Sequence, residues 1–392
     1  MKVCIMCGGE GTRLRPLTFE RPKPCISIVN KPSIEHLVSH LSNLGFHDII
    51  ITVGYKSDAI EQALGDGALF GASISYVYEE IKLGTAGSVK NARHLLDDKP
   101  FLVVGGDHLT DINLLEFYRD HLRQSPVITI GLISVDDPCE YGIAEIGVDN
   151  RIRRFAEKPG PGEIFSNLAS TGMYVCSPDI FDYIPDETKF DFAKNLFPLL
   201  MEKGKTLNGW LARGNWSDVG SPASLRLAEK WKLQEMSYAS ISGDVDIKSA
   251  HILGPVDFGG SIYVGRNSRI IGPVAIGSGT SIGDNVLIGP YTSLGRNCVI
   301  RSNVRILSSS LYNRVVIGQG TSVSGAIIDD DAMISDSCSI EHGSVIGPRT
   351  VIRNRVTVHS NTRIWPDMLI PEGKIVVEHM LNDSYDTRCD GS

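Results

Sequence analysis

Aliphatic residues recur every six positions through the second half of the chain. Val264, Ile270, Ile276, Ile282, Ile288, Leu294, Ile300 and Ile306 follow one another at that interval without a break. The period resumes with Ile317 and Val323, slips by one, and then runs through Ile328, Ile334, Ile340, Ile346, Ile352, Val358, Ile364 and Ile370. Gly, Asn, Asp and Pro crowd the intervening positions. Two residues before the aliphatic stands a small or β-branched side chain, as at Val274, Thr280, Val286, Cys298 and Ala332. A six-residue repeat of this kind predicts a parallel β-helix over residues 245–372, three hexads to a triangular coil. The 18 marked positions then make about six coils. The breaks after Ile306 and Val323 predict a bulge or an external loop around Ser308–Arg314.

Residues 1–235 show a different pattern. Apolar runs at Val3–Met6, Asp48–Val53, Ser73–Tyr78, Phe101–Val104 and Val127–Ile133 read as strands. Amphipathic stretches at Ile34–Leu44, Asp58–Leu64, Ala86–Leu95 and Leu114–Arg123 read as helices. Alternation of the two predicts an α/β domain built on a doubly wound, mostly parallel sheet. Ligands should bind beyond the C-terminal ends of its strands. Ser221–Met236 reads as a linking helix with Arg226, Glu229, Lys230 and Lys232 exposed. After Pro371 the period stops, and 373–392 reads as a tail whose polar end, Asp383–Ser392, is expected to be disordered.

Composition narrows the function. The chain has 392 residues, 42% of them hydrophobic, enough for two domains. It contains no apolar run near the length of a membrane span, and Met1-Lys2 leads straight into a strand without a signal-peptide pattern. Eight cysteines scattered over apolar positions read as reduced thiols of a cytoplasmic protein. The net charge of −8 argues against nucleic-acid binding. The first 31 residues run the other way, with Lys2, Arg13, Arg15, Arg21, Lys23 and Lys31 against Glu10 and Glu20. An acidic protein with cations gathered at one segment is focusing anions there.

That segment carries the string Cys7-Gly8-Gly9-Glu10-Gly11-Thr12-Arg13-Leu14-Arg15-Pro16-Leu17-Thr18, then Arg21-Pro22-Lys23-Pro24. Glycines after a buried strand let backbone N–H groups close on an anion, and Arg13 and Lys23 add fixed positive charge. It is not a Walker A loop, for no G-x-x-x-x-G-K-[ST] string occurs, nor a dinucleotide loop, because Leu14 takes the third glycine position. Cys4 and Cys7 have C-x-x-C spacing, but inside an apolar strand with no second Cys/His pair nearby they read as small buried thiols.

The string resembles the signature of the sugar-1-phosphate nucleotidylyltransferases, G-G-x-G-T-R-L-x-P-L-T with a downstream K-P. Further matches support the resemblance. Glu79-Glu80-Ile81-Lys82-Leu83-Gly84-Thr85-Ala86-Gly87 resembles the family's base-holding segment. The strand-end acid Asp107 and the acid of Trp216-Ser217-Asp218-Val219-Gly220 match its two magnesium ligands, and oxygen donors beside phosphates suit a hard divalent cation. Tyr141-Gly142 lies between them, as do Glu157-Lys158-Pro159, which resembles its E-K-P motif, and Thr171-Gly172-Met173-Tyr174, which resembles its sugar-side segment. The resemblance implies transfer of a nucleotidyl group from an NTP to a sugar 1-phosphate, with Mg²⁺, giving NDP-sugar and pyrophosphate. It implies roles for Arg13 and Lys23 at the triphosphate, and for Lys158 at the sugar phosphate. Gly8, Gly9, Gly11, Thr12, Glu79, Glu80, Gly84 and Thr85 would bind the nucleotide. Tyr141, Gly142, Glu157 and Thr171 would bind the sugar phosphate, and Asp107 and Asp218 the metal.

A carboxylate at Glu79 or Glu80 accepts from both donors on one edge of guanine, whereas thymine or uracil is better met by an amide. Guanine is therefore the expected base, and the order of domains resembles mannose-1-phosphate guanylyltransferases and related glucose-1-phosphate enzymes. In proteins with this repeat the β-helix is left-handed and commonly serves regulation or oligomer formation, so a homo-oligomer through the β-helix is expected. Two other readings stay open: an added acyltransferase, for which His342 and His359 are the candidate bases, and a catalytically silent regulatory subunit. His108 and the other histidines of the first domain match no nucleophile–base arrangement and read as surface or structural residues.

Overall fold

The computed structural model describes residues 1–96 and 99–386. These form two compact units. Unit one comprises Met1–Glu10, Pro22–Cys25 and Ser33–Asp218; unit two comprises Gly11–Arg21, Ile26–Pro32 and Val219–Ser392. The division differs from the two consecutive domains expected at 1–235 and 245–372, because two short stretches of the signature region count with the C-terminal unit.

Unit one is an α/β sandwich. Its elements in chain order are β1 (Lys2–Cys7), α1 (Ser33–Asn43), β2 (Asp48–Val53), α2 (Ser57–Leu64), β3 (Ser73–Tyr78), α3 (Gly84–Asn91), β4 (Phe101–Gly105), α4 (Leu114–Gln124), β5 (Ile128–Ser134), β6 (Gly142–Ile146), β7 (Ile152–Glu157), β8 (Leu168–Cys176), α5 (Phe197–Glu202) and β9 (Leu207–Leu211). The strand order is β7-β6-β8-β4-β1-β2-β3, with β5 paired to β8 and β9. Strands β4, β1, β2 and β3 are parallel to one another, whereas β8 runs antiparallel to β4, β5 and β6. The sheet is thus mixed, parallel where helices return the chain and antiparallel where short hairpins do. Val3, Cys4 and Ile5 are fully buried, which explains why β1 reads as an unbroken apolar run. Helix α1 buries Ile34, Leu37, Val38 and Leu41, the i, i+3, i+4, i+7 stripe of one helical face.

Unit two is the β-helix preceded by helix α6 (Pro222–Gln234), which is capped by Ser221 accepting from the Ser224 N–H at 3.2 Å. Three parallel sheets of eight strands each form its faces. Eight coils are therefore present where the spacing predicted about six. The coils begin at Ser240–Ile241 and end at Ile375–Val376. Periodicity missed the first because its inward residues Ile247 and Ile252 are only five apart, breaking the period before Phe258.

Most corners carry a residue in the left-handed region, and from Gly279 to Asn303 they keep the six-residue period: Gly279 (φ 75°), Asn285 (56°), Tyr291 (60°), Asn297 (56°) and Asn303 (62°). Glycine and asparagine tolerate that conformation best, hence their enrichment between the aliphatics. The break at Ser308 is a five-residue step to the next corner, Ser308 at φ 45°. Ser310 and Leu311 pair directly with Ser293 and Leu294. No external loop leaves the described coil at Ser308–Arg314, correcting that expectation: Leu311 supplies the inward aliphatic one residue early and is fully buried.

Helix α6 corrects another expectation. Glu229 is fully buried rather than exposed. Its carboxylate accepts from Arg226 at 2.5 Å, from Ser293 at 3.3 Å and from Ser310. The β-helix unit also clasps its own N-terminal stretches. Arg21 pairs with Asp329 at 2.8 Å and Asp330 at 2.9 Å, Arg349 donates to Glu20 at 2.7 Å, and the Phe19 ring lies edge-on to Trp365 at 4.6 Å. Asp383–Asp386, expected to be disordered, forms a helical turn in which the Tyr385 hydroxyl donates to Asp367 at 2.5 Å. The remainder of the tail expectation, 387–392, lies outside the described residues.

Candidate functional site

Three parallel strands of unit one end at the same edge of the sheet, and each delivers a motif. Strand β1 runs into Gly8 and Gly9, β3 into Glu79, and β4 into Gly106, Asp107 and His108. Together with the start of α3 and the turn at Gly172 they line a cavity of about 440 Å³. It contains Gly8, Gly9, Glu79, Gly84, Thr85 and Asp107 of the sequence-predicted set. A larger cavity of about 590 Å³ belongs wholly to unit two and holds none of these residues. The smaller one is the candidate site because the motif residues converge there.

The floor is shaped by glycine. Gly84 has φ 70°, and a Cβ there would sit 2.9 Å from the Phe190 carbonyl oxygen. Only a residue without a side chain lets α3 start so close to that strand of chain. Thr85 locks the same place: its N–H donates to Asp191 Oδ1 at 3.1 Å and its hydroxyl oxygen accepts from the Phe192 N–H at 2.9 Å. Glu79 is half-buried beside Gly8, accepts from the Ser88 hydroxyl, and is pushed above the usual carboxylate range by burial, against the pull of its hydrogen bonds from Ser88, Leu83 and Thr52. Glu80 is exposed and does not line the cavity. Of the two acids, Glu79 is the one that lines the cavity.

Asp107 is the electrostatic centre. Lys23 pairs with its carboxylate. Burial alone would raise the Asp107 carboxyl, but the Lys23 ammonium holds it below the usual range, so it stays ionised. His108, read from the sequence as a surface or structural histidine, is 5% exposed and lines the cavity. Burial lowers its proton affinity against the pull of Asp107 and Asp218, so the ring is neutral near pH 7. Its Nδ1 accepts from the Gly105 N–H at 3.3 Å. Asp218 is brought to this group by a two-stranded ribbon, in which Trp216 pairs with Thr110 and Ser217 with Leu109. Asp111 fastens that ribbon, accepting from the Asn215 N–H at 2.6 Å and side-chain amide at 2.8 Å. Two carboxylates beside a neutral imidazole are an oxygen donor set that fits a hard divalent cation with open positions. Among the described residues no three His, Cys, Asp or Glu side chains form a closed metal nest.

The sugar-side motifs have different fates. Glu157 ends β7, and its carboxyl is raised by burial while Lys158 and Lys194 pull it down and the cavity residue Asp191 pushes it up. Lys158 is exposed with φ 48°, its N–H donating to the Tyr141 carbonyl at 3.0 Å. Gly142 opens β6 against Glu157, to which it pairs in register. Thr171 departs from expectation: it is 1% exposed and its hydroxyl donates to the Gly131 carbonyl at 2.9 Å. That hydroxyl holds β8 to β5, while its neighbour Gly172 lines the cavity. Gly11, Thr12 and Arg13 belong to unit two, where Gly11 is in the left-handed region at φ 65° and accepts from the Thr18 hydroxyl at 2.9 Å.

Lys189, Asp191, His108, Ser88 and Tyr174 line the cavity without having been singled out. Adjacency to Asp107 was the available signal for His108, and Tyr174 closes a quoted motif. Lys189 and Asp191 sit in an irregular stretch that carries no pattern. Cys4 and Cys7 are buried, unpaired thiols, and burial raises both well above their ordinary value. No helix among the described residues is long and apolar enough to cross a membrane.

A strand-end glycine loop beside buried Asp107 at the edge of a mixed α/β sheet has the character of a nucleotidyl-transfer site, and comparison with known proteins agrees. Residues 2–235 match the nucleotidyl transferase family model and 258–380 the LbH domain of EIF2B subunit epsilon. The chain belongs to the nucleotidyl transferase family, with a left-handed parallel β-helix following the catalytic fold. It is 32% identical to a mannose-1-phosphate guanyltransferase of Emericella nidulans over 370 residues, 90% of this chain and 98% of that one. It is also 32% identical to the mannose-1-phosphate guanylyltransferase catalytic subunit beta of Danio rerio, over 90% and 97% of the two chains. Among solved structures, a putative glucose-1-phosphate thymidylyltransferase from Bacillus anthracis superposes with TM-score 0.54 at 27% identity, covering 59% of this chain and 94% of that one. HddC from Yersinia pseudotuberculosis, complexed with GMP-PN, gives TM-score 0.52 at 26% identity over 59% and 99%.

Proposed function

We propose that this protein transfers GMP from GTP to mannose 1-phosphate, giving GDP-mannose and pyrophosphate. The observation that carries the reading is the meeting of Glu79, Gly8 and Asp107 in one cavity. Glu79 offers a half-buried carboxylate matched to the two donors of guanine, and relatives named as mannose-1-phosphate guanyltransferases support the choice of substrates. The glycine loop would take the phosphates on its backbone N–H groups. Lys23, now on Asp107, would turn to the triphosphate when the carboxylate is engaged.

Asp107 and Asp218 would hold Mg²⁺, which supplies charge neutralisation at the α-phosphate. The sugar phosphate oxygen attacks the α-phosphorus in line as pyrophosphate leaves. The nucleophile is already anionic, so the neutral His108 need not act as a base. Lys158 would hold the sugar phosphate and Glu157 the sugar hydroxyls. Catalysis then consists of positioning and electrostatic stabilisation. Assembly into a homo-oligomer through the β-helix accompanies this reading as a proposal.

Pyrophosphate release with Mg²⁺ across GTP, dTTP, UTP, ATP and CTP, each with mannose, glucose and N-acetylglucosamine 1-phosphates, tests it. A preference for GTP with mannose 1-phosphate is expected. Preference for dTTP or UTP with glucose 1-phosphate would discard the Glu79 assignment, and silence in every pair would favour a regulatory subunit.

A further inference from the structure

The cavity of about 590 Å³ in unit two is unexplained by the motifs. One wall is helix α6, with Leu227 and Lys230; the other is the β-helix surface, with Tyr291, Ile327, His342 and Arg363. Its size is that of a small-molecule site, and its charge is one-sided. Arg226 also lines it but is neutralised by Glu229 at 2.5 Å. Lys230 is exposed, its ammonium 5.0 Å over the Tyr291 ring, which leaves the positive charge intact. Arg363 is partly buried, and its hydrogen bonds go to carbonyl oxygens, those of Arg13 at 3.1 Å and Arg15 at 3.0 Å. Carbonyls accept hydrogen bonds without cancelling charge, and burial accordingly lowers the affinity of this guanidinium for its proton. Among the described residues no acidic side chain lines the cavity. A concave space with two cations, no carboxylate and an apolar wall of Leu227 and Ile327 suits a ligand with an anionic head and a flat or apolar body.

We propose that this cavity is a second ligand site, which binds a phosphorylated small molecule of the nucleoside mono- or diphosphate class. Lys230 and Arg363 take the phosphate, and Leu227 and Ile327 take the body. The guanidinium that meets the phosphate is the one that holds the backbone of Arg13 and Arg15, inside the signature string. Occupancy would therefore be felt by that string, and the site would adjust turnover; this last consequence rests on the function proposed above.

Equilibrium dialysis of labelled ADP against the intact chain tests the site without any turnover. Wild type is compared with Lys230→Gln and with Leu227→Trp, which fills the cavity from a residue 68% exposed and so spares the fold. Wild type should bind one more ADP per chain than Leu227→Trp, and Lys230→Gln should weaken that component about 10-fold, the loss of one charge-assisted contact. Superimposable isotherms for the three proteins would overturn the site, whether or not the protein transfers nucleotidyl groups. In the transfer assay, an effect of added ADP that survives in Leu227→Trp is competition at the motif cavity. An effect abolished there is the predicted regulation, and the absence of any abolished component would overturn the coupling.

Discussion

The two units solve the problem of holding side chains in place by opposite means. In the β-helix every residue finds its lateral partner 17 or 18 positions away: Val274 pairs with Thr292, Leu294 with Leu311, Val345 with Arg363. Interactions are short in sequence and the same at every coil. The motif cavity of unit one draws on residues from Met6 to Asp191, gathered by a sheet whose neighbours are out of chain order. A repeated neighbour rule builds a stiff, forgiving scaffold, because each coil is stabilised mainly by the next. A converging sheet edge builds a site of unlike groups, in which Lys23 holds the buried Asp107 carboxyl down and Asp107 and Asp218 pull on the buried His108. Damage should therefore appear as lost stability in the one region and lost rate in the other.

The largest expected effect is on the scaffold. Ile317 is fully buried in mid-helix. Ile317→Ala should cost about 2–5 kcal/mol in chemical denaturation while leaving the KM values of folded enzyme unchanged; a loss under ~1 kcal/mol would mean the coils repack freely. Next is Asp107→Asn, expected to lower kcat about 10²-fold, or about 2.7 kcal/mol, with little change in melting temperature. Near-wild-type turnover at saturating Mg²⁺ would remove Asp107 from the machinery. Smaller still is Glu79→Gln, which should lower the preference for GTP over dTTP about 10-fold. Glu80→Gln is the control and should leave that preference unchanged; equal effects in both would break the assignment to Glu79.

The smallest effect concerns pH and lies again in the β-helix unit. Asp329 is fully buried, one of its carboxylate oxygens has no partner among the described residues, and burial raises its carboxyl from 3.8 to about 6 despite Arg21. Between those values the folded chain keeps a proton that the unfolded chain has released. This group therefore makes stability fall as pH rises from about 4 to 6, with the full loss present above 6. Asp329→Asn should melt higher than wild type at pH 7, on the order of 2–4 °C, with the gap closing by pH 4. A gap independent of pH would assign the effect to packing instead.

Residues with a local reason to be what they are were legible. The inward isoleucines of the β-helix and its asparagine corners follow from a period of six, and Gly8, Asp107 and Gly84 from motifs of a few residues. Legibility failed where a side chain's role depends on something far along the chain. Glu229 reads as a surface charge on a helix, yet it is buried against Ser293 and Ser310. Thr171 sits in a sugar-side motif, yet its hydroxyl is taken by Gly131. His108 has no partner at a recognisable spacing, because Asp218 arrives through a ribbon closed more than a hundred residues later.

By itself the sequence determined the two kinds of architecture, the family, and the chemical character of the candidate site: a glycine loop and a set of acids. These are properties of short strings, and short strings encode backbone conformation and local charge. Only the tertiary structure decided which acid of Glu79 and Glu80 enters the cavity, that the β-helix unit clasps the stretch from Gly11 to Arg21, and that a second, cation-lined cavity exists beside α6. Burial, convergence and the pairing of distant charges depend on which segments the folded chain brings within a few ångströms, and no local pattern carries that information.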